Sequence, residues 1–169
     1  MSIYNEPNLK FIQTPLNRYT FKSPKMRKWV QGNIKGKTLN LFAGKTRLSD
    51  DNFTCKEVRV DADVTMDADY YIDAYDYVLN CKETFDTILL DPPYQYRKAM
   101  EMYNGQYSSK FKLIADEIPK LLNKNGNVIS FGYHSTYLGK IRKFKLSELC
   151  VFAHSGAQHC TIAIVEEKI

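Results

Sequence analysis

Long apolar runs are missing from this chain: no stretch of its 169 residues approaches the roughly eighteen consecutive apolar residues of a membrane span, which excludes a helical crossing of a bilayer. The four cysteines, Cys55, Cys81, Cys150 and Cys160, form no C-x-x-C pair, so the usual zinc spacing is absent and no metal is expected. Reduced thiols in packed positions are expected instead. The start, Met1-Ser2-Ile3-Tyr4-Asn5-Glu6, has neither the basic residues nor the apolar core of a secretory signal, which points to a cytoplasmic location. Repeats, low-complexity tracts and Gly/Ser linkers are also missing, and the length suits one domain. Residues 1–36 read as an N-terminal segment and helix belonging to the same domain as residues 37–169.

A net charge of +5 is a mild cationic excess, compatible with a polyanionic partner without identifying one. Its distribution is uneven. Lys22, Lys25, Arg27 and Lys28 cluster early, Lys140, Arg142, Lys143 and Lys145 cluster late, and an acidic run extends from Asp61 to Asp76.

Periodicity gives the order of elements. Ser23-Pro24 reads as a cap followed by proline in the first helical turn, opening a helix through about Gln31 that ends at Gly32 and Gly36. Thr38-Leu39-Asn40-Leu41-Phe42 reads as a buried strand stopping at Ala43-Gly44. Glu57 to Asp61 alternates as a second strand, Tyr70 to Asp73 as a weaker third, and Ala74 to about Cys81 as a helix. Phe85 to Leu90 is the clearest strand and runs directly into Asp91. A helix from about Ser109 to Leu122 follows, then a turn at Asn125-Gly126 and a strand over Val128 to Phe131. Lys145 to Phe152 and His159 to Glu166 close the chain as a hairpin. Strand alternating with helix predicts an α/β fold with a mostly parallel sheet covered on both faces. Phe42-Ala43-Gly44, Asp61, Asp73 and Asp91 all fall at carboxyl ends of strands, where open α/β sheets bind ligands.

A doubly wound sheet finished by a hairpin resembles the Rossmann-like fold of the class I methyltransferases, which implies seven strands. Asp91-Pro92-Pro93-Tyr94 after an apolar strand is similar to the signature of the amino-methyltransferases, which transfer a methyl group from S-adenosylmethionine to an exocyclic nucleobase amine such as adenine N6. The resemblance implies S-adenosylmethionine as cofactor and nucleic acid as substrate. It assigns Asp91, Pro92, Pro93 and Tyr94 to catalysis. The amine's lone pair is delocalised into the ring. The Asp91 carboxylate and the Pro92 carbonyl would accept its two N–H groups and draw the nitrogen towards tetrahedral geometry. Both prolines keep the turn extended and free of N–H donors, and the Tyr94 ring can stack on the target base.

For the cofactor, Leu39 to Gly44 resembles the first binding motif of these enzymes in a thin form, since Ala43 and Lys45 stand where a G-x-G pattern would put small residues. Gly44-Lys45-Thr46 is not a phosphate-binding loop, because Leu39 stands where that motif needs glycine. Asp61, or Asp63 if the strand runs longer, suits the ribose hydroxyls. Asp73 suits the cofactor's adenine amine, or else simply caps a helix. Phe11 to Pro15 resembles the family segment that contacts the donor's carboxylate, through Thr14 and Pro15. Tyr96 and Arg97, in a stretch that runs on through Tyr107, read as a substrate grip or a lid; Tyr133 and His134 occupy the place of an aromatic against the base. His154 and His159 read as substrate contacts or turn residues. No separate target-recognition domain like that of the DNA enzymes is expected after the closing hairpin, so a partner subunit or the chain's own loops would select the site. Adenine N6 in DNA is the favoured target. RNA base methylation, at adenine N6 or guanine N2, and a non-catalytic subunit of a methyltransferase complex are the alternatives. Methylation of a protein glutamine would expect Asn in place of Asp91.

Overall fold

In the computed structural model, which describes residues 6–92, 106–132, 137–156 and 159–169, Ser23 caps the first helix by accepting the Met26 N–H at 3.4 Å, with Pro24 in the first turn. The helices are α1 (Pro24–Gln31), α2 (Ala74–Asn80) and α3 (Gln106–Leu121). The strands are β1 (Asn8–Gln13), β2 (Thr38–Asn40), β3 (Glu57–Asp61), β4 (Tyr70–Tyr71), β5 (Phe85–Leu90), β6 (Leu122–Gly132), β7 (Phe144–Ala153) and β8 (Thr161–Lys168). They form one sheet in the order β1-β7-β8-β6-β5-β2-β3-β4, parallel except for β8, which runs antiparallel to both neighbours. Of the expected site residues, Pro93, Tyr94, Tyr96, Arg97, Tyr133 and His134 lie outside the described residues.

Alternation along the central strands explains the two layers. Ile88, Leu90 and Val128 face α2 and α3 together with Leu39, Leu41 and Val60. Leu89, Ile129 and Phe131 face α1 with Cys150, Phe152 and Val165. On the α1 side, Trp29 makes edge contacts with Phe131 and Phe152 at ring separations of 5.9 and 5.7 Å, and Phe21 meets Phe131 at 5.5 Å. Each such ring, fully buried, contributes about 1.5–3 kcal/mol. Burial pushes the Cys150 thiol up to about 11, so it remains a protonated, packed side chain.

Two features depart from expectation. The sheet has eight strands, not seven, because residues 8–13, for which no strand is expected within the N-terminal segment, form β1 and pair in parallel with β7. Composition hid this strand, since its partner is remote in sequence. The second departure is the connection between β2 and β3: residues 41–56 contain no helix. Strand and helix do not alternate there, and something other than helix packing holds the crossover.

Glu148 holds β1 in place. Buried on β7, it accepts from Asn8 Nδ2 at 2.8 Å, from the indole N–H of Trp29 and from Lys10 Nζ at 2.9 Å. Burial alone would raise its pKa, but the Lys10 and Trp29 hydrogen bonds and the Lys10 charge outweigh it and hold the carboxyl below its ordinary range. A depressed folded value means stabilisation that is complete above the ordinary glutamate range and is lost as pH falls through the folded value. Glu148→Ala is expected to cost about 1–3 kcal/mol in urea unfolding, because the indole N–H and Asn8 lose their acceptor. Trp29 is the chain's single tryptophan, so an acid-induced change in its emission, present in the parent and absent in the variant, provides the readout.

Candidate cofactor and catalytic site

Chain order in the sheet reverses between β2 and β5: from β2 the chain moves outward to β3 and β4, then returns to β5 and continues to β6. Crevices of open α/β sheets form at such a switch, beyond the carboxyl ends of the strands. The strand ends β5, β2, β3 and β4 are therefore contiguous, and they carry Asp91-Pro92, Phe42-Ala43-Gly44, Asp61 and Asp73. Asn40 is level with both Leu89 and Arg59, so two residues further on Phe42 and Asp91 stand at the same height beside the switch.

Backbone bonds continue past the strands and fix these ends. Leu41 N–H donates to the Leu89 carbonyl at 3.2 Å, Ala43 N–H to Val60 at 3.0 Å, and Ile72 N–H to Asp61 at 3.1 Å. Gly44 adopts φ +60, a conformation suited to glycine, and donates its N–H to Asp61 Oδ2 at 2.9 Å; the other Asp61 oxygen accepts from Asp63 N–H at 2.9 Å. A carboxylate has about four lone-pair directions, so Asp61 keeps acceptor capacity for a ligand. A methyl group placed on Gly44 would meet no atom within 4 Å. That open side gives a bound molecule room against the loop.

Asp73 is the N-cap of α2, accepting from Tyr75 N–H at 3.0 Å. Phe42 packs against the core on the α2 side. Asp91 is half-buried and Pro92 buried. Thr14 and Pro15 are not brought to this cluster. Thr14 continues the β1–β7 ladder to the Ala153 carbonyl and shares a 2.7 Å hydrogen bond with the Ser23 hydroxyl, while β8, β6 and β5 separate that strand end from β2. Tyr19, further along the same segment, is the residue that reaches the β2 loop: Lys45 Nζ lies 6.0 Å from its ring centre. His154 is buried, with Nδ1 against the Thr14 carbonyl at 3.1 Å and Nε2 against Thr161 Oγ1 at 2.9 Å. A carbonyl partner requires the proton on Nδ1, so both ring nitrogens are committed to the scaffold. Among the described residues no cluster of His, Cys, Asp or Glu could hold a metal ion.

Arg59, which no motif in the sequence singles out, holds the loop. It is fully buried on β3. Its Nε donates to the Asp67 carbonyl at 2.6 Å. Nη1 donates to Glu57 Oε1 at 2.6 Å and to the Thr46 carbonyl at 3.2 Å, and Nη2 donates to the carbonyls of Ala43 and Gly44 at 3.0 and 3.1 Å. A guanidinium has five N–H donors, and all five are used. Glu57, its side chain 4% exposed, accepts in turn from Asn40 Nδ2 at 2.9 Å and Leu48 N–H at 3.2 Å. The sequence carries only a faint trace of it: Glu57 and Arg59 are opposite charges two residues apart, hence on one face of β3, a spacing that a solvated strand face would show equally.

Arg59→Met would strand the Glu57 carboxylate and four carbonyls, and is expected to cost about 3–5 kcal/mol in urea unfolding. Arg59→Lys restores a charge without the planar five-donor fork, and should fall between the parent and Arg59→Met.

No family model matches the chain, and no curated protein matches it in sequence. Similarity to solved structures is extensive in shape and low in sequence. TrmN from Thermus thermophilus superposes with a TM-score of 0.64 at 14% identity, covering 87% of this chain and 49% of that one, so the chain spans about half the length of TrmN. The N-methyltransferase NodS from Bradyrhizobium japonicum gives 0.59 at 10% identity over 90% of this chain and 99% of that one. A methyltransferase from Pyrococcus furiosus gives 0.52 at 17% identity over 86% and 83%. The chain has the Rossmann-like fold of the S-adenosylmethionine-dependent methyltransferases, with eight strands and an antiparallel strand pair.

Proposed function

We propose that the protein is an S-adenosylmethionine-dependent methyltransferase acting on the exocyclic amine of a nucleobase, N6 of adenine in DNA. The observation that carries the reading is the placement of Asp91-Pro92 directly after β5, beside the switch point and level with Phe42. The residues around the crevice fit the cofactor: an open-sided glycine loop at β2, and carboxylates at the ends of β3 and β4. Phe42, Ala43 and Gly44 would line the donor, Asp61 would accept from its ribose hydroxyls, and Asp73 would approach its adenine amine. Thr14 and Pro15, assigned by resemblance to the donor's carboxylate, would have to act from the end of β7. When bound, the cofactor supplies a methyl group already activated by a positively charged sulfur.

The chain's own contribution is then positioning and hydrogen bonding. The Asp91 carboxylate and the Pro92 carbonyl accept from the two amine N–H groups, localise the lone pair on nitrogen and aim it along the transfer axis. The proton released after transfer can pass to solvent once nitrogen has become cationic, and no strong base is required. Pro92 and Pro93 would hold the acceptors rigid, and Tyr94, Tyr96, Arg97, Tyr133 and His134 would contact the base and its strand.

A labelled-donor assay on duplex DNA, single-stranded DNA and RNA, followed by nucleoside analysis of the product, tests polymer and atom together. N6-methyladenosine recovered only from RNA would move the substrate to RNA; no product on any polymer would refute the reading. Asp91→Ala should lower transfer by about 10²-fold or more, the scale of losing one preorganised hydrogen-bonding group at a reacting centre. Calorimetry should show its cofactor affinity unchanged. Gly44→Ala tests the cofactor cleft separately. At φ +60 the backbone strain should cost about 1 kcal/mol of stability, whereas the added methyl, which meets no protein atom, should weaken cofactor binding by tenfold or more.

A further inference from the structure

Between Pro7 and Ser49 the chain carries ten Lys and Arg and no Asp or Glu. Five of the ten are neutralised by carboxylates from elsewhere: Lys10 by Glu148, Arg27 by Asp50, Lys35 by Glu167, Lys37 by Glu83 and Arg47 by Asp67. The other five are Arg18, Lys22, Lys25, Lys28 and Lys45. All are exposed, and they are not scattered over the surface.

Segment 14–22 runs along the carboxyl edge of the sheet. It begins at Ala153 on β7 through the Thr14 N–H, reaches the β2 loop where Tyr19 meets Lys45, and turns back over β6 where Phe21 meets Phe131. Arg18 and Lys22 lie on this segment. Lys25 is in the first turn of α1 and reaches back to the Gln13 carbonyl at 2.8 Å, and Lys28 follows three residues later on the same helix face. At the β2 end, the Tyr19 ring is contacted by two cations, Arg18 at 5.6 Å and Lys45 at 6.0 Å. Asp63, close enough to Lys45 to feel its charge, has its carboxylate committed to the N–H and hydroxyl of Thr65 at 2.8 and 2.7 Å.

A line of exposed cations interleaved with a half-buried aromatic suits a chain of phosphates better than a single anion, since one carboxylate needs only one such charge. The geometry points to segment 14–28 and Lys45 as a phosphate grip for the nucleic-acid strand, with Arg18-Tyr19-Lys45 as its end nearest the cofactor loop. This rests on the proposed nucleic-acid substrate. Only the backbone is gripped, so the contacts position the strand without selecting a sequence.

The test is the salt dependence of binding to fluorescent DNA and RNA oligonucleotides, without cofactor. Each phosphate-contacting cation contributes about 0.7–0.9 to the slope of log affinity against log salt concentration. R18Q/K45Q should therefore make the slope shallower by roughly 1.4–1.8. K82Q/K124Q, a charge-matched change near the amino ends of β5 and β6, should leave the slope at the parent value. The grip is refuted if R18Q/K45Q keeps the parent slope, or if the control loses as much. It is also refuted if R18Q/K45Q instead lowers cofactor affinity with the slope unchanged, which would assign these cations to the donor's carboxylate. Failure of the two readings can be told apart. A parent that binds strands with a steep slope but methylates none retains the grip and loses the reaction; one that methylates while R18Q/K45Q keeps the parent slope does the reverse.

Discussion

The buried guanidinium of Arg59 ties the carboxyl edge of the sheet together. Removing a charge from water costs several kcal/mol, and the cost is offset only where the counter-charge and every hydrogen bond are supplied. Here Glu57 supplies the charge, and the carbonyls of Ala43, Gly44, Thr46 and Asp67 supply the rest. Those carbonyls belong to two different connections, β2–β3 and β3–β4, so one side chain sets the position of both loops relative to the strands between them. Gly44 can then hold its left-handed conformation with its N–H on Asp61. A loop with a single glycine keeps its shape because its carbonyls are pinned from beneath.

The same device recurs on the other half of the sheet. Glu166, fully buried on β8, accepts the N–H groups of Tyr137 and Leu138 on one oxygen, at 3.2 and 2.8 Å, and of Gly139 on the other at 2.8 Å. Three successive amides closing on a carboxylate form an anion nest, here filled by the protein's own side chain. Glu148 does the equivalent for β1 and α1. Residues 41–56 and 137–143 contain no α-helix, and each stretch is fastened to the sheet by an ionised strand residue. Helix packing would supply diffuse apolar contact, whereas a buried ion fixes particular backbone atoms. That is the more useful constraint where a loop must present its backbone to a ligand.

This distinction separates what could be read in the sequence from what could not. The central strands, α1 with its Ser23 cap, α2 and the closing hairpin follow from local pattern, because period, caps and turn residues act over a few positions. The four strand ends were legible for the same reason: a strand's carboxyl end is a local feature, and parallel topology brings such ends to one edge. β1 was not legible, since its pairing depends on β7 and on Glu148, about 140 residues away. Neither was the Arg59 clamp. Arg59 reads as a solvated charge until the strands on either side, and the loop folded over it, are known to exclude water. Thr14 shows the complementary limit. Similarity placed it at the donor, but tertiary pairing carries it to the end of β7, and Tyr19 of the same segment comes to the β2 loop instead.

Charge is segregated along this edge in a way that suits the proposed reaction. From Asp61 to Cys81 there are six aspartates and no Lys or Arg, while residues 7–49 hold ten cations and no acid. The acidic stretch surrounds the ends of β3 and β4, and the basic one runs from β7 to the β2 loop. A sulfonium donor is cationic at the reacting centre and a nucleic-acid strand is polyanionic, so the two ligands favour opposite ends of this gradient. In the proposed reaction the strand would be repelled from the acids at the ends of β3 and β4 and drawn to segment 14–28. Its bases would then have to turn inward, past Tyr19 and across the ends of β2 and β5, to reach Asp91. If both ligands bind as proposed, the arrangement would order them along the edge by charge, before any base is recognised, with Asp91 at the boundary between them.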